Sequence, residues 1–402
     1  VNFAPHMKGP YNHPSTKGLY GIFNDSFPPI LDGVTLTVEN YARWLAEKGK
    51  IPCVVTPWNP VPPQCSYDVM RFFSLPIQSR KPYRYGYPKL DPFIWKRLRD
   101  TDFRLLHSHC PFSSGRLAVY VKKHRNLPLI GTFHSKYRSD LKHSFRKAPW
   151  CIPIIMKRIL NFFNACDHVW IPQKQVEETV REYGYEGPLT VVENGNDFAS
   201  IITGDVWNHK MEAKRRLDMN PSEMALLFVG QHIWEKGIRT ILDALVLLDG
   251  KLNFTMNFIG NGYAAPEMEE FLKRNRLDSR VRMRGVIRDR DTLSDYYAAS
   301  DLFIFPSPYD NAPLVLREAA AMGTPGLLLD GSTASEVIVR DSNGFLSDNS
   351  PQSFADSIRW IHNNPSLLRD VSLRARATLV RSWKDVVDEV SGRYDKILKD
   401  YK

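Results

Sequence analysis

Long apolar runs are missing from this chain. None approaches the roughly 18 residues a membrane-crossing helix needs, and no signal-peptide pattern opens the sequence. Neither a spanning helix nor a secretory route is therefore expected. Cysteine is scarce: five residues, Cys53, Cys65, Cys110, Cys151 and Cys166, scattered and odd in number, with no C-x-x-C pair. That excludes a disulfide framework or a zinc knuckle and points to a reducing compartment. Acid is short in one half only. Residues 1–200 carry 27 Lys/Arg against 16 Asp/Glu, whereas residues 201–402 carry 27 against 28. Between Arg116 and Arg158 there are 11 basic residues and one acid, Asp140. Such asymmetry calls for an anionic partner of the first half: a membrane surface, a phosphorylated substrate or nucleic acid. No nucleic-acid recognition module is present, so nucleic acid is not expected as a partner.

With 402 residues, 43% hydrophobic and 24% charged, the chain is long enough for two cores of ordinary globular composition. Residues 1–17 are polar and rich in Pro and Gly, and read as a flexible extension or a cloning remnant around His6-Met7. Short apolar runs then alternate with helix-like segments. Strands are expected at 18–25, 51–58, 69–76, 103–109, 127–135, 168–173 and 189–195, and again at 224–230, 254–263, 281–287, 301–305 and 326–330. The alternation predicts α/β architecture with parallel sheets, whose ligands sit beyond the carboxyl ends of the strands. His107 and His109 share one strand end, but no third ligand is in view, so no metal site is assigned.

The stretch Phe303–Gly326, FIFPSPYDNAPLVLREAAAMGTPG, organises the second half. A strand ends in Pro306-Ser307-Pro308, and a helix is expected over 312–322, with Asn311 as N-cap and Gly323 and Pro325 as its stop. Asp310 precedes the first turn and Glu318 follows eight residues on, about 12 Å along an ideal helix. Between them lies a helix N-terminus, with Leu314 and Val315 supplying free N–H groups. Carboxylates accept sugar hydroxyls and N–H groups accept phosphate, which is the layout of a nucleotide diphosphate-sugar.

The acidic-x7-Glu spacing followed by EAAAMGTPG resembles the retaining glycosyltransferases of family 4, which have the GT-B fold. The resemblance extends from about residue 18 to 402 and is strongest at 226–345. It implies two Rossmann-like domains facing a cleft: 18–197 for the acceptor, 198–380 for the donor, and 381–402 as a helix crossing back to pack on the first domain. In the family the first acid is usually Glu, so Asp310 departs by one carbon. Gly230, Lys236 and Gly237 of GQHIWEKGI match the family's phosphate loop, but its arginine is replaced by Gln231, a loss of one charge and a bidentate fork. By the same resemblance the loop of Gly33 contacts the donor phosphate or the acceptor, Ile287 pairs with the base through its backbone, and His134 of GTFHSKY reaches the transferred sugar; Gly33 and Gly260 are both expected on the donor side. The catalytic residues are thus expected to be His134 and Asp310.

No pair of carboxylates stands out as nucleophile and acid in the glycosidase manner. The expectation is retention without a dedicated nucleophile, cofactor or metal, with a UDP-sugar as donor. A sugar phosphorylase or epimerase, and a nucleotide-sugar-binding protein with little turnover, remain open alternatives. The basic stretch interleaves Lys122, Lys123, Lys142, Arg146 and Lys147 with Trp150 and neighbouring isoleucines. This pattern suits peripheral docking on an anionic surface, on the cytoplasmic side, where a lipid acceptor would be met; a soluble or polysaccharide acceptor is the alternative.

Overall fold

The computed structural model describes residues 17–30, 32–78, 82–145, 148–308 and 310–401. These form two compact units, one reaching to Glu193 and resuming at Val386, the other spanning Asn194–Asp385. The boundaries lie at 193/194 and 385/386, a few residues from the expected 197/198 and 380/381. Local packing in the second unit accounts for both shifts: Asn196 bridges to Ser382, and a Cβ on Gly195 would fall 2.7 Å from the Trp383 backbone. The turn Glu193–Asp197 and the start of the last helix, Trp383–Asp400, are therefore held together.

The first unit is built on a seven-stranded parallel sheet in the order Asp68–Phe72, Pro52–Pro57, Lys17–Phe23, Asp102–Ser108, Leu129–Thr132, His168–Ile171, Leu189–Val191. The second holds six parallel strands in the order Val281–Gly285, Phe254–Ile259, Met224–Val229, Leu302–Phe305, Gly326–Leu329, Phe345–Ser347. Central strands such as PCVVTP, MALLFV and LFIF are buried at every position. This is the continuous apolar character of a sheet covered on both faces, as the alternation of strands and helices predicted. In the tail, Val386, Val387, Val390 and Ile397 are all buried, the one-sided pattern of a helix that packs.

Several elements were not anticipated. The run 69–76 breaks at Phe73, and Ser74–Pro76 turns into an antiparallel hairpin with Arg84–Gly86. Asp91 accepts the Phe73 N–H at 2.9 Å and caps the helix Pro92–Asp100, so one side chain secures both the break and the next helix. The helix after Pro306 is shorter than expected, Leu314–Ala321, with Pro313 rather than Asn311 at the cap and no side-chain capping bond. Pro313 has extended ψ at 124°, so the helix cannot begin before it, and the 12 Å helical separation of Asp310 and Glu318 does not apply. Gly323, at φ +74°, ends the helix in the left-handed region as predicted.

Candidate active site

In the second unit the carboxyl ends of Met224–Val229 and Leu302–Phe305 carry two loops that meet. Gly237, at φ +73°, starts the helix Ile238–Leu248, and a Cβ there would fall 2.4 Å from the Pro306 carbonyl oxygen. Only glycine lets the backbones come this close. The contact brings Lys236 onto Asp310 across 74 residues of sequence: Lys236 Nζ donates to Oδ1 at 2.6 Å and to Oδ2 at 2.8 Å. Ser307 Oγ also donates to Asp310, at 2.6 Å. The loops after the first two strands pack equally tightly, since a Cβ on Gly260 would lie 1.9 Å from the Gly230 carbonyl oxygen. Gly230 has φ +156° and Gly260 φ +135°.

Glu318 is buried, and its carboxylate is already held. Arg290 Nη2 donates to Oε1 at 2.8 Å and Tyr297 Oη to Oε2 at 2.8 Å. Arg290 also reaches Asp197 at 3.4 Å and lies over the Phe198 ring at 4.2 Å. Burial, then the Glu318 charge, push the Tyr297 hydroxyl well above its usual pKa, so it remains a donor. Sequence reading missed Arg290 and Tyr297, because nothing in their spacing connects them to Glu318. Leu314 and Val315 occupy the first turn of Leu314–Ala321, where backbone N–H groups lack intrahelical acceptors. Ile287 is partly buried against the core beyond the strand Val281–Gly285. Gln231 is exposed, and its side chain makes no hydrogen bond among the described residues.

The first unit places His134 two residues beyond the strand Leu129–Thr132. His109 is its neighbour: His109 Nδ1 and His134 Nε2 are 2.9 Å apart, so the two rings share one N–H, and they stack at 5.2 Å. His107 stacks on His109 in turn, at 4.2 Å. Three histidines therefore converge where only two were in view. Both nitrogens of His107 are engaged, Nδ1 with Tyr394 Oη and Nε2 with Thr132 Oγ1, each at 2.6 Å. That leaves it no lone pair for a metal, and among the described residues no set of three His, Cys, Asp or Glu is arranged to hold one. Burial lowers the pKa of His134 to about 4, while burial and the neighbouring rings lower His107 and His109 well below the ordinary value. All three are neutral at pH 7.

Gly33 is exposed at the start of the helix Gly33–Glu47, where Asp32 accepts the Thr35 N–H at 2.7 Å. On the basic stretch, Lys123 and Lys142 are exposed and Trp150 is 74% exposed, with Ile154 at 50%. Lys122 leaves that set, because it is ion-paired with Asp167 at 2.6 Å and donates to the Ala165 carbonyl. Arg146 and Lys147 lie outside the described residues.

Comparison with known proteins comes down on the same two regions. The family model Glycosyltransferase Family 4 matches residues 31–199, and Glycosyl transferases group 1 matches residues 223–364. An alpha-monoglucosyldiacylglycerol synthase of Acholeplasma laidlawii is 22% identical over 383 residues, 91% of this chain and 94% of the relative. Among solved structures, sucrose-phosphate synthase (tll1590) from Thermosynechococcus elongatus superposes with a TM-score of 0.79 at 18% identity, covering 95% of this chain and 100% of the other. Anabaena Alr3699/HepE in complex with UDP and glucose gives 0.74 at 16% identity, covering 94% and 99%.

Proposed function

Because the chain belongs to the family 4 type of glycosyltransferases with the GT-B fold, we propose that it moves a hexosyl unit from a nucleotide diphosphate-sugar, a UDP-sugar, to a membrane lipid. Transfer proceeds with retention at the anomeric carbon and needs no metal. The observation that carries this reading is the Lys236–Asp310 pair beside the first turn of Leu314–Ala321. A diphosphate competes with Asp310 for the Lys236 ammonium. Once Lys236 turns to the phosphate, the freed carboxylate accepts hydroxyls of the sugar. The same exchange puts a positive charge and free N–H groups where the leaving diphosphate gathers charge, which is where fixed donors accelerate such a step. Glu318, pre-positioned by Arg290 and Tyr297, accepts the ribose hydroxyls, and Ile287 meets the base through its backbone. His134, held neutral by burial, can hydrogen-bond a hydroxyl group without adding charge.

A lipid acceptor is supported by the name of the Acholeplasma laidlawii relative. It is also supported by exposed Phe145, Trp150 and Ile154 beside exposed Lys142, Lys157 and Arg158. This combination suits docking on the anionic, inner face of a membrane. Incubating the purified chain with a panel of nucleotide-sugars, with and without lipid extract, tests the reading. Lipid-dependent release of nucleoside diphosphate and an α-linked product from an α-linked donor are expected; an inverted product, or no release with any donor, overturns it. A second reading, a nucleotide-sugar-binding protein with little turnover, is favoured by one observation, the neutral Gln231 in the phosphate loop. It predicts donor binding without product.

A further inference from the structure

The imidazole of His134 is the outer end of a row of rings that begins on the last helix. Tyr394 lies in the part of Trp383–Asp400 that belongs to the first unit, and it is fully buried. Its ring stacks on Tyr20 at 5.8 Å and on Trp170 at 5.9 Å. Burial holds its hydroxyl well above the usual pKa, so it stays protonated, and it meets His107 Nδ1 at 2.6 Å. Thr132 Oγ1 meets the other nitrogen of His107, also at 2.6 Å. A flip of the His107 ring would put carbon against both hydroxyls, so its orientation is fixed. His107 then stacks on His109 at 4.2 Å, and His109 stacks on His134 at 5.2 Å and bonds it, Nδ1 to Nε2, at 2.9 Å. Burial eases along the row. Tyr394 and His107 are fully buried, His109 is 1% exposed, and His134 is half-buried.

Core packing alone has no need of such a row. A buried imidazole surrenders its hydration, and an apolar ring of similar shape would fill the space without that loss. His109 shows this most clearly, because its Nε2 is buried and has no hydrogen-bond partner. What His109 does, and a phenylalanine could not, is engage His134 Nε2. In a neutral imidazole the bond made by one nitrogen decides which nitrogen carries the proton. With Nε2 committed to His109, any other contact of the His134 ring goes through Nδ1, in the protonation state that Nε2 dictates.

From this geometry we infer that His109 is a positioning residue for His134, and that Tyr394, acting through His107, keeps His109 in place. The inference rests on the reading of His134 as a hydrogen-bonding partner of a ligand hydroxyl, and it adds the groups that aim the ring. One of them stands on the last helix of the chain, far from His134 in sequence. A ring already held in one orientation and one tautomer meets the hydroxyl without a search, which is how supporting side chains speed a reaction they never touch.

Nuclear magnetic resonance on the full chain, with its histidines isotopically labelled at nitrogen, tests this without donor or turnover. The result therefore stands whether or not the chain proves to be a transferase. Imidazole nitrogen shifts report which nitrogen carries the proton, and the His134 signals are identified by their loss in His134→Gln. In the wild type His134 is expected as one neutral tautomer at pH 7. His109→Phe, which keeps a ring but removes the bond, should leave His134 a mixture of both tautomers. Tyr394→Phe removes a single hydroxyl, so it keeps the test valid if His109→Phe fails to fold; the signals of His107, His109 and His134 should all move in it. In the transfer assay His109→Phe should lower kcat about 10- to 100-fold, the scale for removing the outer partner of a functional histidine, and leave UDP affinity as it was. His109→Asn, whose amide stands where Nδ1 stood, should recover part of that loss. His134 signals unchanged from wild type in folded His109→Phe or Tyr394→Phe would overturn the inference and leave the row as core packing. Equal falls of kcat and UDP affinity in His109→Phe would overturn it too, as the mark of general loosening.

Discussion

Replacing Glu318 by Gln tests the best-defined part of the proposed donor site. Both carboxylate oxygens are taken, Oε1 by Arg290 and Oε2 by Tyr297, and the Glu318 side chain is only 7% exposed against 36% for Arg290. The Gln amide keeps one acceptor for Tyr297, but its NH2 group then faces the guanidinium, donor against donor. Arg290 is left with Asp197 at 3.4 Å. Breaking a fully buried pair costs about 3–5 kcal/mol. Because Arg290 is a third exposed and keeps a second acid, a loss of about 1–2 kcal/mol is the better expectation. For a unit of roughly 200 residues that lowers the melting temperature by about 2–8 °C. If Glu318 also holds the ribose, UDP affinity falls by a further 1–3 kcal/mol, or about 5- to 150-fold. Differential scanning calorimetry separates the first effect, and titration of UDP into the folded variant measures the second. Arg290→Met is the control, since it disturbs the same network while leaving the carboxylate. A folded Glu318→Gln variant that binds UDP as wild type refutes the ribose role and reduces Glu318 to an anchor for Arg290. Equal losses of affinity in both variants would assign the effect to collapse of the network.

The remaining predictions concern charge, acid and the membrane. Gln231→Arg should raise UDP-sugar affinity or turnover severalfold by restoring a cation beside Lys236; flat or reduced kcat/KM would remove the position from the diphosphate. Burial holds His134 and His232 neutral, lowering each from 6.5 to about 4. Between those values the unfolded chain binds more protons, so stability is full above pH 6.5 and falls as the pH drops toward 4. The ceiling is about 1.4 kcal/mol per pH unit for each ring. Urea melts from pH 7 to pH 5 should show this slope and its reduction in His232→Phe; an unchanged slope in that variant would remove His232 from the account. Finally, Lys142→Glu combined with Trp150→Ser should abolish salt-sensitive sedimentation with anionic vesicles, whereas equal recovery on neutral and anionic vesicles, unmoved by the substitutions, would end the docking proposal.

Much of the architecture was legible in the residues alone. Apolar runs such as MALLFV and LFIF, alternating with helix-forming segments, determine a covered parallel sheet because such strands have no polar face to offer water. Gly323 was readable as the end of its helix, and it occupies the left-handed region. What the linear order did not contain was partnership across distance. Lys236 meets Asp310 because parallel strands gather their carboxyl ends on one edge of the sheet, however far apart they lie in the chain. The same gathering sets His134 against His109, and the packing of the helices Arg290–Ala299 and Leu314–Ala321 sets Arg290 and Tyr297 against Glu318. Local breaks escaped sequence reading for a related reason. Asp91, eighteen residues beyond Phe73, decides where the strand Asp68–Phe72 ends. Spacing determines which residues can share a face of an element, whereas burial and the meeting of loops decide which charges are answered and which are left to a ligand.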